Sequence, residues 1–141
     1  MAVREDVRLP SNQAGFELVL MNEIALRNEA IGKLILEQFR RANVTDRYGS
    51  GVGCFTHFRV PDDCALLPDK VSSPLEGPMI RVNVVERGDI DTQRQGCETA
   101  GSLLFHESGR IVMLECYAYG DNWPEDLYNF EFLPAKDREG P

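Results

Sequence analysis

Apolar residues recur at helical spacing through the first third of the chain. Ile24, Ile31, Leu34, Ile35, Phe39 and Ala42 lie at offsets near three, four and seven, and so share one stripe. The opposite side carries Glu23–Arg27, Glu29–Lys33 and Glu37–Arg41. Each is an i,i+4 pair with the acid first, worth about 0.2–0.5 kcal/mol. Gly32 interrupts the segment at a cost of about 1 kcal/mol relative to alanine. Residues 14–42 therefore form either one kinked helix or two helices broken near 27–32. The stretch 16–21 has no decisive period and fits a helical turn or a short strand.

After residue 50 the period changes from helical to two. "VGCFTHFRV" (52–60) reads as a strand with Val52, Cys54, Thr56, Phe58 and Val60 on one side and Phe55, His57 and Arg59 on the other. The "DRYGSGVG" before it reads as punctuation. Residues 61–78, with four prolines, read as a long loop. "MIRVNVVE" (79–86) is a second β-branched strand, followed by a polar connector. "AGSLLFHESGRIVMLECYAY" predicts a hairpin with Ser108-Gly109 as a two-residue turn. A regular register pairs Glu107 with Arg110. It then sets Phe105 opposite Val112, Leu103 opposite Leu114 and Gly101 opposite Cys116 on one face. The other face holds His106–Ile111, Leu104–Met113 and Ser102–Glu115. Both faces are largely apolar, so one packs on the helices and the other meets a second covering element or another subunit. "DLYNFEFLP" alternates as a last strand.

These elements predict one α+β domain over residues 1–141: an N-terminal helical segment packed on a mainly antiparallel sheet of about four or five strands. Residues 1–13 read as an irregular lead-in and 134–141 as a loose tail. A chain of 141 residues is long enough to build one core without metal or disulfide staples.

Charge narrows the partners. With 23 acidic and 15 basic residues the formal net charge is −8. That disfavours nucleic acid and anionic membrane surfaces, which bind through cationic neutralisation, and it allows a basic partner. No secretory signal and no membrane-length apolar run is visible, which predicts a cytoplasmic protein with reduced thiols.

The motifs that suggest chemistry fail on context. "GSGVG" precedes a strand, whereas phosphate loops follow a strand and open a helix. Cys54 and His57 are three residues apart on a strand and face opposite ways. The four cysteines have no CxxC spacing, so no metal and no cofactor is expected, and zinc held by cysteines and a histidine is a minor alternative. Neither His57 nor His106 has an identifiable nucleophile to assemble a triad.

Glu115 is the residue of most interest. It lies mid-strand in a row with Ile111, Met113, Tyr117 and Tyr119, and a carboxylate among apolar neighbours needs a partner or a raised pKa. Arg47, Arg59 and Arg81 are candidate ion-pair partners. A ligand pocket would need Glu115, Arg47 and His57 to converge. Downstream, "GDNWPED" fits a capped turn, with Asp121 or Asn122 as cap, Pro124 in the first positions, and Glu125 and Asp126 at the positive end of the dipole. Trp123 reads as a lid over one end of the core. Alternatively Tyr117, Tyr119 and Trp123, with Asp121, Glu125 and Asp126, form an aromatic-acidic interface for a basic partner.

Two stretches carry a resemblance: Arg47, Tyr48, Gly51, Gly53, Phe55, Thr56 and Phe58, and then Leu103, Leu104, Phe105, Leu114, Glu115, Tyr117, Tyr119, Gly120, Trp123 and Pro124. In these the chain resembles a family of small uncharacterised bacterial proteins, with Cys54 where that pattern has a second phenylalanine. The resemblance implies a bacterial cytosolic origin and supplies no activity, cofactor or catalytic residue.

Two functions fit these features. One is a non-enzymatic module that pairs with itself or with a basic protein, an immunity- or antitoxin-like protein being one version. The other is a small metal-free hydrolase or ligand-binding domain with its pocket around Glu115.

Overall fold

The computed structural model describes residues 12–82, 99–119, 123, 127 and 129–134. The helical segment is two helices, α1 (Gln13–Leu26) and α2 (Gly32–Arg41), so the break near Gly32 is complete. The helices cross so closely that a Cβ on Gly32 would lie 2.5 Å from the Ala25 carbonyl oxygen, and only glycine fits there. The Glu23–Arg27 pair forms at 2.8 Å. Glu37 pairs with Arg40 rather than Arg41, which reaches Asp63 at 2.8 Å instead.

Among the described residues seven strands form the antiparallel sheet: β1 (Asn43–Gly49), β2 (Gly53–Arg59), β3 (Leu75–Glu76), β4 (Ile80–Val82), β5 (Ala100–Glu107), β6 (Arg110–Ala118) and β7 (Phe130–Phe132). Their order is β1-β2-β6-β5-β4-β7, with β3 also on β5. The α+β class holds, with more strands than the four or five expected. The extra ones are β1, whose charged Asp46 and Arg47 read as a turn, and the two-residue β3 inside the proline-rich loop.

The β5–β6 turn is as expected, with Ser108 and Gly109 both at positive φ (51° and 83°), and Glu107 pairs with Arg110. Beyond His106–Ile111 the register departs from expectation. Val112 bulges out, so Phe105 pairs with Met113, Leu104 with Leu114, Leu103 with Glu115 and Ser102 with Cys116. An extra residue reverses the pleat parity, which puts Ile111, Leu114 and Cys116 together on the inner face. Gln38 on α2 supports this irregular corner. Its Oε1 accepts from the Ile111 amide at 2.9 Å, and its Nε2 donates to the carbonyls of Ala65 (2.8 Å) and Gly109 (2.9 Å). These bonds satisfy backbone groups that the bulge and turn remove from the ladder.

The core lies between the helices and the inner face of the sheet. Phe16, Leu20, Met21 and Ile24 of α1 and Ile35 of α2 pack on Cys54, Phe58, Ile80, Leu104, Ile111, Leu114 and Cys116. Each fully buried large side chain contributes about 1.5–3 kcal/mol. Trp123 is buried against Phe16, with ring centroids 6.0 Å apart, and its amide donates to Gly51 O at 2.9 Å. It closes one end of this core.

Candidate functional site

The two faces of the sheet hold different chemistry. On the inner face one polar cluster lies between α1 and the β1–β2 edge. Glu17, buried on α1, accepts two bonds from Arg47 of β1 (Nη2 at 2.6 Å, Nε at 3.0 Å), one from Thr56 Oγ1 of β2 at 2.5 Å and one from Gln13 Nε2 at 2.8 Å. A fork-to-carboxylate pair with two further donors compensates the burial of the charge. Gln13 also donates to Cys54 Sγ at 3.4 Å, and Cys54 is the cross-strand neighbour of Cys116. Hydrogen bonding to Cys54, then burial, pushes the Cys116 thiol well above its ordinary range, so it remains a protonated thiol and a poor nucleophile. Every donor points inward, so the cluster fastens α1 to β1 and β2.

The outer face is built by the opposite pleat of β1, β2, β6 and β5. The register lines up Tyr48, Phe55, Glu115 and Leu103 in one row across the four strands. The next row toward the hairpin turn sets Asp46, His57, Met113 and Phe105 side by side, and the row on the other side sets Gly53, Tyr117 and Gly101. The Tyr48 ring stacks on Phe55 (5.1 Å, 25°) and on His57 (5.9 Å, 18°). The Tyr117 ring lies flat over Gly101, where a Cβ would meet it at 2.6 Å, and meets Tyr119 edge-on at 5.5 Å. Both helices pack on the inner face, and no described helix covers this one. Phe55, His57, Leu103, Phe105, Met113, Glu115 and Tyr117 are half-buried on this face.

Glu115 is therefore the charge at the centre of an aromatic and aliphatic surface. It makes no hydrogen bond or ion pair with any described residue. Burial raises its carboxyl pKa above the ordinary value, because the ionised form loses water and gains nothing in exchange. Burial, with help from Tyr119, pushes the neighbouring Tyr117 phenol up to about 12.

The structure brings Glu115 and His57 onto one face, at diagonal positions with no hydrogen bond between them. Arg47 is not with them. Its alternate pleat position carries it through to Glu17, so the three side chains do not converge. Arg81 is likewise committed, to Glu131 at 3.4 Å, and Ile111 leaves the Glu115 row because of the bulge. Tyr119 is exposed at the edge of the face, its hydroxyl donating to Met79 Sδ at 3.6 Å, whereas Trp123 belongs to the core. Asp121, Glu125 and Asp126 fall outside the described residues. Among the described residues no group of three His, Cys, Asp or Glu could hold a metal ion, and no helix is long and apolar enough to cross a membrane.

Sequence reasoning missed Glu17. Its signal was present: Gln13, Glu17, Leu20 and Ile24 follow helical spacing, which puts a carboxylate on the buried stripe and calls for an inward-facing arginine. Comparison with family models, curated proteins and solved structures finds no match to this chain.

Proposed function

We propose that this protein is a non-enzymatic protein-binding module of the bacterial cytoplasm, and that it docks its partner on the outer face of the sheet. The carrying observation is the contiguous aromatic and aliphatic surface over β1, β2, β6 and β5 that neither helix covers. Aromatic side chains grouped around a central polar residue are the composition of binding hot spots, and half-buried apolar surface of this kind suits an interaction site. A net charge of −8 favours a basic partner over a second copy, because like-charged copies repel. An immunity- or antitoxin-like role is the concrete version: an acidic protein of this size neutralises a basic one by covering it.

The reading as a hydrolase or ligand-binding domain has one observation in its favour, the shared face of Glu115 and His57. It is weakened by the commitment of Arg47 to Glu17, which removes the cation that the pocket needed to orient a substrate or stabilise developing charge.

In-cell photocrosslinking tests the proposal. A benzoylphenylalanine at position 55 or 103 is expected to yield a discrete adduct in the native host. The same group at position 18, on the exposed side of α1, is expected to yield none. An adduct from position 18 with none from 55 or 103 would move the interface to the helices and end the proposal.

A further inference from the structure

Resting on that reading, we propose that the partner presents an arginine, ringed by apolar side chains, whose guanidinium docks on Glu115. Glu115 sits between Phe55 on β2 and Leu103 on β5, with Met113 and Tyr117 two residues away along its own strand. No described hydrogen-bond donor or cation reaches it. The fully buried Glu17 is matched by Arg47 and the half-buried Glu23 by Arg27, whereas Glu115, set between Phe55 and Leu103, has no such match among the described residues. A half-buried carboxylate without a partner is a cost to the folded chain, and a cation arriving from outside removes it.

The surroundings select the kind of cation. A guanidinium forms two parallel bonds to a carboxylate and stacks its flat face on aromatic rings, whereas an ammonium is a compact, strongly hydrated point charge. The Phe55 ring on one neighbouring strand and the Tyr117 ring two residues along provide such faces beside the carboxylate. The surrounding Leu103, Phe105 and Met113 ask for apolar neighbours of that arginine, the usual frame that keeps water from a central polar contact. The face spans four strands, which suits a protein surface rather than a small amine. A second copy is the poorer occupant. Among the described residues of this side of the sheet, Asp46, Glu76, Glu107, Glu115 and Glu131 outnumber Arg59, Arg81 and Arg110, so two such faces would meet with an excess of acid on each.

The test uses two blocked tripeptides, acetyl-Leu-Arg-Phe-amide and its citrulline analogue, which keeps the shape and loses the charge. Each is titrated to about millimolar concentration, where short peptides register, against the isotopically labelled full chain, with NMR shifts as readout. The arginine peptide is expected to shift resonances of Phe55, Leu103, Met113 and Tyr117, and to bind at least tenfold more tightly than the citrulline peptide. Glu115→Gln is expected to erase that ratio, and Glu107→Gln, at the rim, to leave it. Equal binding of the two peptides on the outer face would overturn the arginine and leave the binding face standing. Loss of the ratio in Glu107→Gln as much as in Glu115→Gln would overturn it too, because general acidity would then explain the preference. Shifts confined to the helices, or no shift with either peptide, would overturn it. So would concentration-dependent shifts of the face without peptide, since a second copy would then be the occupant.

Discussion

Glu115 and Glu17 show how differently one residue type behaves on the two sides of a sheet. Glu17 is buried yet accepts four hydrogen bonds, while Glu115 is half-buried and accepts none from the described residues. The pH dependence of stability follows from the direction of the Glu115 shift. Its folded pKa lies above its unfolded one, so between the two values the folded chain holds the extra proton, and stability falls as pH rises through that window. At pH 7 the ionised carboxylate therefore works against folding. Glu115→Gln is expected to melt at a slightly higher temperature than the parent at pH 7 and at the same temperature below about pH 4, where an ordinary glutamate is protonated. The gain is small because a partly exposed carboxyl is still screened by water. Thermal melts at both pH values check it, and a lower melting temperature for Glu115→Gln at pH 7 would mean that the carboxylate has a partner within the chain. Glu115 was legible in the sequence as an acid set among apolar neighbours. Arg47 was not, because pleat parity on β1 depends on a bulge near Thr45 that no local pattern announces.

Among the elements, strands with strong alternation were readable and edge elements were not. The β2 strand shows its buried side through Cys54, Thr56, Phe58 and Val60, and the β5–β6 turn through Ser108-Gly109. The register beyond that turn was misjudged because a bulge leaves no compositional trace. "RIVMLEC" is apolar on both parities, and Gln38, more than 70 residues upstream, supports the irregular backbone. The helix break was visible in Gly32, but its completeness depends on how closely α2 approaches Ala25. Glu17 and Arg47 carry the main polar tie between α1 and the β1–β2 edge. Glu17→Gln leaves the Arg47 guanidinium without its counter-charge and is expected to cost about 3 kcal/mol. That is the low end for a broken buried pair, since the Arg47 side chain is still 28% exposed. Urea titration should show a lower midpoint with an unchanged slope. A midpoint equal to that of the parent would mean that the cluster does not hold helix to sheet.

For the whole molecule, the division of labour is between an inner face packed on the helices and an outer face that no described helix covers. The fold class was legible because helical and strand periods occupy separate parts of the chain. That the sheet has a second largely apolar face was legible, since the hairpin is apolar on both sides and one helical layer covers only one of them. On the proposed reading the second side meets another molecule's surface, which this sequence does not carry. Acidity, the absence of a described cation near Glu115 and the aromatic frame together favour a basic protein there. Hydroxyl-radical footprinting tests this account most directly, on the purified chain and on the same chain in extract of its native host. Phe55, Met113 and Tyr117 are expected to be readily oxidised in the purified chain and protected severalfold in extract, while Leu18 and Leu26 on the exposed helix surface react equally in both. Strong protection of Phe55, Met113 and Tyr117 in the purified monomer, or equal oxidation of them in both samples, would contradict it.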